Sequence, residues 1–575
     1  MPIENKQIYI ADFETTNDPQ DCRVWAACAV RMEDNEVVFL DNNLDAFMTF
    51  LSKHNSICYF HNLGFDGQFI LYWLLTHNFK YERKGGAKTF DTTIGDNGAF
   101  YSINVRFSKK GRYWKQVQFR DSLKKINSSV KKIAKDYDLP FKKLRIDYNA
   151  AREKGHILTE QEKKYVIADC KIVSAALKQY VAEGLNKLTA ASDAFNIYRY
   201  HFLGDKRFQL YFPTLPIDID KDIRQAYRGG FTYLNPKYKE RRGVKGIVLD
   251  VNSEYPYIMK TKPLPVGYPV FFEGKPKDDP RFPLYIVMVE MQFDLIKDHI
   301  PCIQIKNTFA YRQNEYLTTS DIHYKIKDNV TGEMVEQVDN TSLVTLYLTN
   351  IDLSLIKEQY NVEPLRYIKG WRFQAKTGLF DKYIDHWYEI KRTSKGAKRA
   401  VAKIMQNSLY GKFAVNPVRR AKIPYLDNDV VRYTASEVNT IDPIYTALSI
   451  FVTSYGRDLI VRAAQANYDR FIYSDTDSIH LEGYDLPTGI NIDDHELGAF
   501  KIEEQFNNSL YIRQKTYMHT TNGKIIVKCA GMPDNCKKLV RYKNFHVGSS
   551  FPGKLLPKRV PGGVVLQETC FTISE

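Results

Sequence analysis

The run KGIVLD at residues 245–250 is β-branched and apolar, the character of a buried strand, and it ends on Asp250. Far downstream, FIY and IHL flank a tight turn within YSDTDS (473–478) that carries Asp475 and Asp477. Asp and Thr are common in turns for purely structural reasons, because both bond the local backbone. Here the strand on each side delivers the acids to one rim of a sheet where Asp250 also arrives. The chain therefore has to close one sheet across a long intervening segment.

That segment holds a helix, KIMQNSLYG (403–411), in which Lys403, Asn407 and Tyr410 fall at i, i+4 and i+7 on one face. Lys391 and Arg399 extend the basic character upstream. A cationic helix face opposite a carboxylate pair is what phosphoryl transfer from a nucleoside triphosphate requires. Mg2+ bridges acids and phosphates there, while Lys and Arg neutralise developing charge. The plainer alternative is a surface helix with a solvated basic stripe.

A second group of acids lies near the N-terminus. Asp12 and Glu14 stand two apart on a strand expected from residue 7, so both project from the same face. The run YFHNLGFDGQF supplies Asp66, with Asn62 four residues earlier. A helix expected over 160–181 opens with Thr159 and Glu162 at capping-box spacing and carries Tyr165 and Asp169 at i, i+4. Four carboxylates on three elements suit a two-metal phosphodiesterase site, in which hard oxygen ligands hold two Mg2+ ions roughly 4 Å apart. A tyrosine beside such a site can orient the attacking water.

Composition narrows the partners. Lys plus Arg (82) less Asp plus Glu (67) leaves +15, which favours a polyanion. A hydrophobic share of 44% excludes wholesale disorder. At roughly 150 residues per domain, 575 residues predict about four domains. No internal repeat or low-complexity linker separates them, so close packing is expected. No apolar run approaches the ~18 residues of a membrane span, and acid and polar residues fill the place of a signal-peptide core. Eight scattered cysteines without a CxxC pair favour a reducing cytoplasm. Residues 1–190 read as α/β, FPTLPIDID (212–220) as a connection, 262–378 as an irregular β-rich insertion, and 532–575 as short, basic and Pro/Gly-rich.

Taken in order, these motifs resemble those of the family B DNA polymerases. DFETT (12–16), Asn62 with Asp66, and Tyr165 with Asp169 resemble the three exonuclease motifs of the proofreading enzymes. Asp250–Pro256, Lys403–Gly411 and Tyr473–Ser478 are similar to polymerase motifs A, B and C. Lys515 with Tyr517 resembles the Lys-x-Tyr element, Tyr227-Arg228-Gly229-Gly230 the Tyr-x-Gly-Gly element, and Thr453 to Arg457 the element between motifs B and C. Extra segments at 262–378 and 418–439 resemble the insertions of the protein-primed branch, of the bacteriophage phi-twenty-nine type.

The resemblance implies an α/β and α+β multidomain fold: a ribonuclease H-like 3′-5′ exonuclease domain (1–190), then a right-hand polymerase. Its parts would be palm (191–261 and 440–531), fingers (379–417) and thumb (532–575), with a terminal-protein insertion (262–378) and a processivity and strand-displacement insertion (418–439). Asp250, Val251, Asp475 and Asp477 would hold two Mg2+ ions, and Asp12, Glu14, Asp66 and Asp169 another two, with Mn2+ an accepted substitute. Val251, Tyr255, Lys391, Lys403, Asn407 and Tyr410 would bind the dNTP, the Tyr255 ring leaving no room for a 2′-hydroxyl. Tyr165 and Lys143 would assist hydrolysis. Thr15, His61, Asn62, Phe65, Phe69, Ser122, Leu123 and Tyr148 would grip single-stranded DNA, and Tyr227, Gly229, Gly230, Ser253, Thr453, Arg457, Lys515 and Tyr517 primer-template DNA. A terminal protein would be the primer at initiation, in the host cytoplasm. Position 254 departs from the family pattern: Glu254 stands where Leu is usual. Rival readings are a nuclease with a degenerate polymerase domain, a non-catalytic nucleic-acid binder, and a polymerase confined to nucleic-acid primers.

Overall fold

A computed structural model describes residues 6–83, 85–111, 113–147, 150–303, 318–319, 323–327, 334–338 and 343–574. Tyr148, expected at the primer end, and parts of the 262–378 segment lie outside them.

The N-terminal part builds an eight-stranded sheet. Strands Gln7–Thr15, Asn55–Phe60 and Tyr113–Asp121 run parallel, and Val24–Arg31 pairs antiparallel on the far side of the first. Parity along Gln7–Thr15 divides its side chains between two cores. Tyr9, Ala11 and Phe13 pack with Phe47 and Leu71 from the helices Leu44–Ser52 and Leu63–Thr76, whereas Ile10 joins Val166 and Val173 of the helix Glu160–Ala182. Asp12 and Glu14 share the parity of Ile10, so alternation alone carries both acids to the face covered by the helix that bears Tyr165 and Asp169. The expected capping box opens that helix: Glu162 N–H donates to Thr159 Oγ1 at 3.2 Å, and Thr159 N–H to Glu162 Oε2 at 2.9 Å.

A second sheet has five antiparallel strands in the order Phe500–Phe506, Gly246–Val251, Ser478–Glu482, Phe471–Thr476 and Phe231–Leu234. Ile247, Leu249, Val251, Phe471 and Ile479 pack with Ile460, Val461 and Ala464 of the helix Thr446–Gln465. Of the expected first palm segment, 191–261, only Phe231–Leu234 and Gly246–Val251 enter this sheet. Tyr198, Phe208 and Phe212, which precede them, share a core with Phe380, Tyr383 and Phe413 that continues to Val166. The expected boundary near 190 therefore crosses a continuous core rather than a linker.

The 262–378 segment is more regular than expected. It holds a four-stranded antiparallel sheet, in the order Leu264–Glu273, Leu365–Lys376, Leu284–Met291 and Val344–Thr349, and the helix Asn350–Gln359. Residues 418–440 fold over a hairpin, Lys422–Asp427 with Val430–Ala435. This hairpin docks on the helix Leu63–Thr76: Tyr433 donates to Gln68 Oε1 at 2.8 Å, and Tyr72 to the Asp429 carboxylate at 3.1 Å. A C-terminal hairpin, Ser550–Val560 with Gly563–Thr572, adds Val560, Val564 and Val565 to the same core. Among the described residues no helix is long and apolar enough to cross a membrane.

Candidate active sites

Asp250 lies near the end of its strand, and Asp477 occupies the turn between Phe471–Thr476 and Ser478–Glu482. The Val251 N–H donates to the Asp477 carbonyl at 2.8 Å and ties the two rims together. Burial, then Asp250 and Asp475, push the Asp477 carboxyl up to about 6, as expected of like charges held in a partly dry site. Thr476, between the two acids, takes φ +65°, and Gly230 packs directly on it. Asp475, expected to support the metal, is paired with the Lys515 ammonium, and Thr232 donates to it at 3.3 Å.

A group of cations faces these acids. Lys391, on the helix Asp381–Thr393, donates to Ser253 Oγ at 2.8 Å. Burial, then Lys403, Arg399 and Lys501, push Lys391 down to about 8. Lys403 and Asn407 are exposed. The helix expected over 403–411 stops at Ser408, and Tyr410–Phe413 forms a short turn of its own. Ser449 donates to the Tyr410 carbonyl at 2.6 Å, and the Tyr410 ring centre lies 4.3 Å from that of Tyr255. Glu254 is buried, neither of its oxygens has a hydrogen-bond partner, and burial followed by Asp477 and Asp250 holds its carboxyl well above the usual range.

Three residues expected on primer-template DNA are turned inward. Thr453 donates to the Ser449 and Ile450 carbonyls of its own helix. Arg457, 3% exposed, forms a buried salt bridge with Asp352 and donates to the Gly229 carbonyl at 2.7 Å. Tyr517 is buried against Tyr473 and Tyr511. Each has its polar group or ring satisfied inside the protein. Tyr227 remains exposed.

Asp12 and Glu14 on the N-terminal sheet, Asp66 on the helix Leu63–Thr76 and Asp169 on the helix Glu160–Ala182 form the second acid group. Burial, then Glu14, Asp66 and Asp169, hold Asp12 well above the usual range, and burial raises Glu14 to about 7. Asp66 and Asp169 are raised for the same leading reason. Lys143 donates to the Tyr165 hydroxyl at 2.6 Å and pairs with Asp169, whose Oδ1 is buried without a partner. The loop that delivers Lys143 is pinned by Glu162, which accepts from Arg152 Nε at 2.8 Å and lies 2.8 Å from His156 Nε2. Arg152 in turn stacks on Trp25, 4.0 Å from the ring centre. Sequence reading found Glu162 only as a helix cap, since its partners arrive from a loop without periodicity.

Of the residues expected to grip a single strand, Asn62 is exposed, while Thr15, His61, Phe65 and Leu123 are half-buried. Both ring nitrogens of His61 are occupied, by Ser122 Oγ at 2.9 Å and the Ser128 carbonyl at 2.7 Å. Ser122 is buried and donates to the Phe60 carbonyl at 3.0 Å, so it orients His61. Phe69 is fully buried, with Gly563 against its ring. Ser122 and Phe69, also expected at the single strand, thus have internal contacts.

Among the described residues no three acidic, histidine or cysteine side chains converge into a ready cation cage. The donors still suit hard divalent ions: both groups offer carboxylate oxygens, Asp12 and Asp477 are raised first by burial and then by neighbouring acids, and Asp169 Oδ1 is buried without a partner. Lysine ammonium groups stand on Asp169, Asp250 and Asp475.

A family model described as DNA polymerase type B, organellar and viral, matches residues 48–163 and 150–495. The chain belongs to this family. This type B DNA polymerase is 42% identical to the DNA polymerase of Bacillus phage B103 over 99% of this chain and 100% of that protein. It is 42% identical to the DNA polymerase of Bacillus phage phi29, covering 99% of each, and 31% identical to that of Streptococcus phage Cp-1, covering 99% and 98%. Phi29 DNA polymerase complexed with primer-template DNA and incoming nucleotide substrates matches its structure with a TM-score of 0.91 at 41% identity, covering 99% of this chain and 100% of that one. The phi29 complex with single-stranded DNA matches at 0.90 and 40% over the same shares. This type B polymerase of the phi29 kind is thus a mixed α/β multidomain enzyme of DNA replication that carries out DNA-directed DNA synthesis.

Proposed function

We propose that the five-stranded sheet is the palm of a DNA polymerase selective for dNTPs, and that the eight-stranded sheet carries a 3′-5′ proofreading exonuclease. The observation that supports this most is the separation of two acid groups, Asp250 with Asp477 and Asp12, Glu14, Asp66 with Asp169: burial raises Asp477 in the first and all four acids in the second, and each group stands beside a lysine. Asp250 and Asp477, with Val251 through its backbone, would hold two Mg2+ ions, which neutralise phosphate charge and acidify the attacking 3′-hydroxyl.

Lys391 and Lys403 bind the triphosphate oxygens of the incoming dNTP, and Tyr410 and Asn407 border the new base pair. Tyr255, packed on Tyr410, sits beneath the sugar and excludes a 2′-hydroxyl. In the other sheet Tyr165 orients water and Lys143 stabilises charge as the terminal phosphodiester is cleaved. Thr15, Asn62, Phe65 and Leu123 border the frayed end, with His61 held by Ser122. Editing by a separate hydrolytic site adds discrimination that base-pair contacts alone do not supply.

Primer-template DNA is the polymerase substrate and single-stranded DNA the exonuclease substrate, as in the complexes of the phi29 enzyme. The 262–378 segment docks a terminal protein whose hydroxyl serves as the first primer, the 418–439 hairpin supports processivity and strand displacement, and the enzyme acts in the host cytoplasm. Asp477→Ala abolishes extension of a primed template and leaves single-strand degradation, whereas Asp12→Ala with Asp66→Ala does the reverse. Extension at near wild-type rate by Asp477→Ala would refute the palm assignment. Labelled dATP with Mg2+ and a candidate terminal protein gives a covalent protein-nucleotide adduct; its absence leaves nucleic-acid primers as the only starting point.

A further inference from the structure

Lys501 carries no motif signal, yet it stands directly opposite Asp250 in the antiparallel pairing of Gly246–Val251 with Phe500–Phe506. Residues opposed in this way project from the same face of a sheet. The Lys501 Nζ lies 3.3 Å from Asp250 Oδ1, with 35% of the lysine side chain still exposed. The next step of the ladder is a bulge: Leu249 pairs with Ile502 but Val248 with Glu504, leaving Glu503 as the extra residue. Bulges beside active sites re-aim side chains. Here the bulge separates the register of Gly246–Val248 from that of Leu249–Val251, and in the second register Lys501 stands against Asp250.

Lys501 is also one of three cations, with Lys403 and Arg399, whose charge is felt by Lys391. Lys391 is committed to Ser253 Oγ, and Arg399 to the Lys391 carbonyl. Lys501 therefore sits between a carboxylate that has to accept a divalent ion and a group of cations that has to accept an anion. An ammonium on a four-carbon stem is suited to move between two such partners, since its charge is compact and its stem flexible.

We propose that Lys501 is a displaceable counter-ion of Asp250, which leaves the carboxylate when a divalent cation arrives and then binds the triphosphate of the incoming nucleotide. The inference rests on the reading of Asp250 and Asp477 as the polymerase acids. Before the metal binds, Lys501 offsets the repulsion between these two groups. It also competes with the metal, so its removal strengthens metal binding and weakens nucleotide binding, a pair of opposite effects that loss of structure does not produce.

The test uses the full chain carrying Asp12→Ala and Asp66→Ala, which removes the other acid group, with Mn2+ alone as the probe. In that background Lys501→Ala and Lys501→Gln bind Mn2+ about two- to five-fold more tightly by electron paramagnetic resonance, the range of a partly exposed ion pair. With Mg2+ and primed template, their KM for dNTP rises about tenfold, as loss of a charge-assisted contact predicts. Lys501→Arg restores both values towards those of the parent. Unchanged Mn2+ affinity, or unchanged KM, overturns the proposal. A parallel Asp477→Ala variant tests the underlying reading separately: if it keeps Mn2+ binding and extension, the polymerase acids are misassigned whatever Lys501 does.

Discussion

Gly230 and Thr476 are in such close contact that a Cβ on Gly230 would stand 2.6 Å from Cγ2 of Thr476 and 3.1 Å from its Cα. Thr476 lies between Asp475 and Asp477 with φ +65°, so any push on it is transmitted to the turn that positions both acids. Gly230→Ala should cost about 1–3 kcal/mol by overpacking. If about 1.4 kcal/mol of that cost reaches the transition state, primer extension slows about tenfold. Single-strand degradation stays at the parent rate. Parallel extension and degradation assays check this, and an equal loss of both would place the contact outside the palm.

Glu254 presses against Gly456 with neither carboxylate oxygen hydrogen-bonded. A buried polar group left without a partner costs about 1–3 kcal/mol, so Glu254→Leu should stabilise the fold by that order. The sign with pH follows from its raised carboxyl. Stability contributed by such a group is present below the unfolded-state value and is lost as pH rises towards the folded one. The gain from Glu254→Leu is therefore small near pH 4 and larger at pH 8. Melting curves at both values decide it, and a gain confined to acid would contradict the burial.

The two acid groups differ in their readiness to ionise. Glu14 is pushed up to about 7 and Asp477 to about 6. Metals bind the deprotonated form, so affinity climbs with pH until the carboxyl is ionised. Lowering the pH from 7.5 to 6 at limiting Mg2+ should thus weaken exonuclease activity before polymerase activity. Single-turnover rates of both reactions across that range provide the measurement; a polymerase that fails first would reverse the ordering.

Phe69 is fully buried and lies against Gly563, where a Cβ would come within 2.5 Å of its ring. Gly563→Val should dislodge the C-terminal hairpin from the N-terminal sheet while each part stays folded. Faster hydrogen exchange over 550–572, with residues 7–15 unchanged, is the expected result. Phe69→Ala, a large-to-small core change, should cost about 3–5 kcal/mol and loosen both segments.

Much of this protein was legible from local pattern. Strand alternation placed Asp12 and Glu14 on one face, the capping box at Thr159 and Glu162 fixed the start of the long helix, and flanking apolar runs brought Asp475 to a strand end and Asp477 to the turn beyond it. These are properties of a few consecutive residues, so the sequence by itself determined them, along with the two acid groups and the family. Which partner each charge meets was decided by tertiary structure alone. Lys501 reaches Asp250 through strand pairing, Lys515 reaches Asp475 from the turn between the strands Asn508–Arg513 and Thr516–Thr521, and Arg457 turns inward to Asp352 from a different helix. Burial removes water from some of these groups and leaves it on others, and that difference separates an exposed side chain from one whose partners lie inside the protein.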